Sequence, residues 1–137
     1  MFGFDSGMIF RIPALLIALT IHEYAHAQAA DSMGDKTPEA YGRLTLNPLA
    51  HIDPIGLLLL LFAGFGWAKP VPINPNRFKN ISAGIKIVSF AGPAANFFMA
   101  FLSMFAMFMM GKLGMLSFGV ATFLQLNILY NVWFGLF

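Results

Sequence analysis

The stretch Leu15 to Ala30, LLIALTIHEYAHAQAA, sets two histidines and a glutamate inside a run otherwise apolar enough to cross a bilayer. An ionisable group at the centre of a membrane helix costs about 2.5 to 3.5 kcal/mol on insertion scales, so something must compensate it. A bound metal ion would do so. On an α-helix, His22 and His26 lie about 40° apart around the axis and one turn apart along it, so both rings can face one ion. Glu23 stands beside that ion without occupying a ligand position. This is the H-E-x-x-H arrangement, in which two imidazoles hold zinc and the glutamate serves as general base. A buried core histidine or a polar surface helix is the plainer alternative, but no polar face is available here to carry all three groups. A cleaved signal peptide is another: Arg11 precedes an apolar run from Ile12 to Ile21, followed by small residues at Ala25, Ala27 and Ala29. That reading would discard the motif, and the rest of the chain is itself membrane-like.

Composition supports the bilayer. Of 137 residues, 58% are hydrophobic and 10% charged, against roughly 25% charged in ordinary soluble domains. A net charge of +2 with scattered basic residues gives no nucleic-acid footprint. Cysteine is absent, so thiolate ligands and disulfides are excluded and any zinc must be held by His, Asp or Glu.

In chain order, Met1 to Phe10 reads as an interfacial lead and Ile12 to Ala30 as a first span, with Pro13 in its first turn. Asp31 to Pro54 is a polar connection rich in helix breakers, in which RLTL at Arg43 to Leu46 alternates like a short strand. His51 and Asp53 precede the next apolar run; Asp53 followed by Pro54 reads as an N-cap with a first-turn proline, whereas His51 stays open. Ile55 to Trp67 is short for a crossing, hence either a tilted span or a re-entrant element. Pro70 to Asn74, PVPIN, is extended by its prolines and can lie beside RLTL as an edge. Ile87 to Met110 is a further span whose small residues allow close helix approach, with Asn96 bonding across the contact. Leu116 to Phe137 is the last apolar segment, and its Gln125, Asn127 and Asn131 do not all share one face. The expected fold is therefore an all-α polytopic membrane protein. It has about four apolar helices, one short or re-entrant, with short β segments near the interface. If Ile55 to Trp67 crosses, the distribution of basic residues favours a cytoplasmic amino terminus; if it is re-entrant, the preference reverses.

Four segments in order resemble the site-2 protease family of intramembrane zinc metalloproteases, in its small prokaryotic form without a PDZ domain. They are HEYAHA at His22 to Ala27, GRLTLNPLAHIDPIG at Gly42 to Gly56, GWAKPVPINP at Gly66 to Pro75 and AGPAAN at Ala91 to Asn96. The resemblance implies a zinc endopeptidase of the prokaryotic cell membrane that cuts in or near transmembrane segments of other proteins. His22 and His26 match the family's metal ligands, and Glu23 matches its catalytic residue. The family takes its third ligand from an aspartate in a later L-D-G motif, and no L-D-G occurs here. The expectation is a single membrane-embedded core, residues 1–137, missing its C-terminal part. Asp53 and His51 are the in-chain substitutes for that ligand. Asn47, His51, Asn96 and Asn127 are expected to line a polar cleft, and an edge from RLTL or PVPIN to pair with an unwound substrate. Two other classes are a metal-binding membrane protein or transporter and a catalytically impaired helix-binding protein.

Overall fold

The computed structural model describes residues 7–136. Among these the chain is helical and carries no strand: α1 is Met8–Ser32, α2 Thr37–Ala40, α3 Pro54–Phe62, α4 Ile81–Lys112 and α5 Phe118–Leu136, with short 3-10 turns at Pro48–Ala50 and Pro75–Arg77. Residues 1–6 of the expected lead lie outside the described residues, and Met8 is already helical. α1 begins earlier than expected because the Gly7 carbonyl accepts from the amides of Phe10 and Arg11, each at 3.0 Å. Pro13 consequently sits inside the helix instead of in its first turn. Its missing N–H leaves the Ile9 carbonyl without an intrahelical donor.

Helices α1, α4 and α5 pack pairwise into a three-helix bundle. The buried stripe of α4 is Gly84, Val88, Gly92, Asn96, Ala100 and Ser103, residues three or four apart and mostly small, which lets the neighbouring backbones come close. Its opposite face presents Phe90, Phe98, Phe101, Phe105 and Phe108, each 56% to 72% exposed. A bundle built to face water would bury those rings and show its amides; this one does the reverse. Both α1 and α4 are long and apolar enough to cross a bilayer. α5 follows the same rule at Asn127 and Asn131, which are buried, but not at Gln125, which is exposed.

α3 spans nine residues, about 13 to 14 Å at helical rise, less than half of a roughly 30 Å hydrocarbon core. It starts as expected, with the Asp53 carboxylate capping the amides of Ile55 at 3.0 Å and Gly56 at 3.1 Å. It ends at Gly64, whose φ of +83° turns the chain back. The return leg lies against α3 so tightly that a Cβ on Gly56 would run into the Trp67 carbonyl, and one on Gly66 into the Gly56 carbonyl. The Lys69 amide then donates to the His51 carbonyl at 2.9 Å and closes the loop. Ile55 to Trp67 is thus a hairpin that doubles back, leaning on the bundle through Leu57, Leu60 and Leu61 against Ala14, Leu15, Ala18 and Tyr130.

The expected β segments do not form. Leu44 to Leu46 are bends, and Arg43 and PVPIN have no regular structure. The two connections still meet, but through the Arg43 side chain: its guanidinium donates to the carbonyls of Lys69 at 2.6 Å and Pro70 at 2.8 Å. A side chain reaching across has taken the place of a backbone ladder, and no unpaired β edge results.

Candidate metal centre

His22 and His26 project from one face of α1, and their Nε2 atoms are 3.0 Å apart with the rings nearly perpendicular, at 78°. What makes this pair unusual is that both Nδ1 atoms are committed elsewhere. His22 Nδ1 lies 2.6 Å from Asn96 Oδ1, and His26 Nδ1 lies 2.6 Å from the Val88 carbonyl oxygen. A carbonyl oxygen only accepts, so each Nδ1 must carry the proton. Asn96 cannot be turned the other way without loss, because its Nδ2 donates to the Ala18 carbonyl and to Asn131 Oδ1, both at 2.9 Å. With Nδ1 protonated, a neutral imidazole holds its lone pair on Nε2. With both Nδ1 atoms protonated, two lone pairs face each other across 3.0 Å, an arrangement that a shared cation would stabilise.

The donor set fits zinc. Two imidazoles on a tetrahedral zinc, at about 2.0 to 2.1 Å each, would place their nitrogens about 3.4 Å apart, close to the observed separation. The space is also there. A Cβ on Gly92 would lie 2.9 Å from His22 Nε2 and closer still to His26 Nε2, so only glycine at that position keeps the gap between the rings clear. Three successive positions of the α4 stripe divide the work: Val88 holds one ring, Asn96 holds the other, and Gly92 leaves the room between them.

Glu23 follows His22 on α1, and Arg43, in the connection after α1, is a cation that interacts with it. Arg43 is itself buried, at 3% exposure. Its Nη2 lies 3.1 Å from His51 Nδ1, and His51 Nε2 lies 2.8 Å from the Thr45 carbonyl. The guanidinium can only donate, so His51 is neutral with its proton on Nε2. Burial first, and then the Arg43 charge, hold its pKa below the usual value, outweighing the Thr45 bond that opposes them.

The two candidates for a third ligand are thereby spent. His51 uses both nitrogens inside the connection, and Asp53 caps α3. Among the described residues, no group of three His, Cys, Asp or Glu comes together to hold a metal ion. The expected cleft-lining residues also divide differently. Asn47 caps the 3-10 turn by accepting from the Leu49 amide at 3.1 Å. Asn127 donates to Ser103 at 2.7 Å inside the bundle. Asn96 stands behind the metal pair and not in an open cleft.

Sequence spacing pointed to His22, Glu23 and His26 but gave no sign of the α4 residues that stand behind the two imidazoles. Val88 acts through a backbone carbonyl, which leaves no side-chain signature. Gly92 reads as one more small packing residue. The available signal was the four-residue repeat Val88, Gly92, Asn96, which runs antiparallel to the His26, His22, Ala18 repeat of α1.

Paired imidazoles braced from behind, beside a carboxylate on an apolar helix, have the arrangement of the HExxH class of metal sites. No protein-family model matches the chain, and no solved structure matches it significantly. Curated proteins do. A Bacillus subtilis protein named "Putative zinc metalloprotease YwhC" is 44% identical over 110 residues, which cover 80% of this chain and 50% of that protein. "Putative zinc metalloprotease Rip2" of Mycolicibacterium smegmatis is 40% identical over 98 residues, 69% of this chain and 38% of that protein. The Mycobacterium tuberculosis protein of the same name is 30% identical over 104 residues, 73% and 40% respectively. The chain is similar to these proteins named as zinc metalloproteases, in the direction that its resemblance to the site-2 protease family pointed. It spans half the length of the first of them, or less of the others.

Proposed function

We propose that this chain is the metal-binding core of an intramembrane zinc endopeptidase, acting on peptide bonds in or near the transmembrane segments of other proteins. The observation that carries the reading is the facing pair of His22 and His26 Nε2 atoms, 3.0 Å apart, with Glu23 next to His22 in sequence on the same helix. His22 and His26 would hold the ion. The third ligand of a complete site would come from chain beyond these residues, as the family's L-D-G aspartate implies. Zinc bound there would supply Lewis acidity, polarising the scissile carbonyl and bringing the pKa of a water toward 7.

The chain's own residues do the rest. Glu23 takes a proton from the attacking water at its carboxylate and delivers it to the leaving amide nitrogen. Hydroxide thus adds to the carbonyl carbon as the C–N bond breaks. Val88 and Asn96 hold the two imidazoles in the tautomer that points a lone pair at the ion. Arg43, which clasps the hairpin, interacts with Glu23.

In this reading the protein is a multi-pass protein of a prokaryotic cell membrane. Because α3 doubles back, Lys36, Arg43, Lys69, Arg77, Lys79 and Lys86 fall at one end of the bundle and Arg11 and Lys112 at the other. The positive-inside preference then makes the connections cytoplasmic and the amino terminus external.

A second reading, a membrane protein that binds metal or helices without cutting, draws on the lack of a third ligand among the described residues. The test is metal analysis of the complete gene product purified in detergent, together with its action on a transmembrane peptide. Zinc with cleavage supports the protease, zinc without cleavage supports the second reading, and a protein that takes up no zinc sinks both.

A further inference from the structure

The geometry points to Asn131, on α5, as a positioning residue that sets the tautomer of His22 through Asn96, and so governs metal affinity from outside the coordination sphere. This rests on the proposed role of His22 as a ligand.

The chain of bonds has one direction. His22 Nδ1–H donates to Asn96 Oδ1, Asn96 Nδ2 donates to Asn131 Oδ1 at 2.9 Å, and Asn131 Nδ2 donates to the Asn127 carbonyl at 2.7 Å. Asn96 and Asn131 are both fully buried, out of reach of bulk solvent. An Asn side chain has two nearly isosteric orientations, and its neighbours choose between them. Turning Asn96 over would aim its NH2 at His22 Nδ1 and its oxygen at two other acceptors. His22 would then keep its proton on Nε2, where the metal is to bind. Two acceptors prevent this, the Ala18 carbonyl and Asn131 Oδ1, and the second is the one a side-chain change can remove. Asn131 is itself held by the backbone of the preceding turn, and the Asn127 to Ser103 bond fixes α5 against α4. The three helices thus each contribute one link: His22 from α1, Asn96 from α4 and Asn131 from α5.

His26 provides an internal control. Its Nδ1–H is held by the Val88 backbone and touches none of these amides. The experiment is nitrogen NMR of the histidine rings in metal-free protein, paired with zinc affinity by chelator competition, for wild type, Asn131→Ala and Asn131→Asp. In Asn131→Ala, His22 should gain a population protonated on Nε2 while His26 keeps its proton on Nδ1. Zinc affinity should fall about 10- to 100-fold, the usual range for lost outer-shell partners. Asn131→Asp keeps an acceptor and should retain the wild-type His22 tautomer. An unchanged His22 tautomer in Asn131→Ala overturns the inference, as does an equal change at both histidines, which would mean general loosening. Because the tautomer is read without metal, a wild-type protein that binds no zinc would refute the ligand reading while this result still stood or fell by itself.

Discussion

The guanidinium of Arg43 donates to the carbonyl of Lys69 at 2.6 Å, across a gap of 26 residues in sequence. With the Pro70 carbonyl as a second acceptor, this bond is what ties the return leg of the hairpin to the connection that follows α1. Lysine cannot serve both carbonyls and His51 from one fork. Arg43→Lys should therefore cost about 2 to 4 kcal/mol, from buried acceptors left unpaired. Amide hydrogen exchange at residues 66–69 should accelerate selectively, while exchange in α4 stays slow.

The same clasp should be acid-sensitive. His51 is buried neutral with its pKa held below 6.5, so between the native and unfolded values the unfolded chain binds more protons. Its contribution is complete above about pH 6.5 and is lost as pH falls through the lowered native value. Protonation would place a hydrogen on Nδ1, facing Arg43. Protection of the Lys69 amide, its exchange measured against the intrinsic rate at each pH from 7.5 to 5, should fall in wild type, and His51→Asn should abolish that dependence.

Gly92→Ala tests the gap between the rings. In an open helix the change would stabilise by about 1 kcal/mol, but here the methyl occupies the space the ion requires. Zinc content should drop from stoichiometric to near zero with helicity by circular dichroism unchanged. Normal zinc uptake would show that the ion sits elsewhere.

Glu23→Gln separates binding from chemistry. The amide is close to isosteric and cannot accept the proton, so peptide hydrolysis should fall about 10²- to 10⁴-fold with zinc content intact. A variant that cleaves normally removes Glu23 from the mechanism.

Asp35 is a structural counterpart. Fully buried, it accepts from the Thr37 hydroxyl at 2.5 Å, the Asn74 amide at 2.6 Å and the Thr37 amide at 2.9 Å. Burial opposes its ionisation, yet these bonds and the Arg77 charge outweigh that and hold its pKa below the usual carboxylate value. The stabilisation is therefore present above the normal carboxylate pKa and fades as pH drops through the lowered one. Asp35→Asn should cost about 2 to 3 kcal/mol at pH 7 and progressively less in acid, read by thermal melting in detergent.

Much of this molecule was legible because its sequence signals are local. The His22 to His26 spacing, the Asp53 cap and the shortness of Ile55 to Trp67 each depend on neighbours within a turn or two. The two amide faces of α5 were legible for the same reason. What failed depended on partners far along the chain. Alternation in RLTL describes a periodicity but not a mate, and Arg43 found carbonyls 26 and 27 residues away. Asn96 was rightly placed at a helix contact, yet its role behind His22 needed the register of α1 against α4. Pro13 was misplaced because the helix start was set by the Gly7 carbonyl, which no capping side chain announces.

That register has a further consequence. Because Val88, Gly92 and Asn96 serve both imidazoles from a single stripe, deleting any one residue between 88 and 96 would rotate part of the stripe by about 100°. The deletion would strip the support from one ring while leaving the other in place. An ion joining α1 to the far side of that break would have lost half its seat, so loading with metal should act as a gauge of whether the two helices are in step.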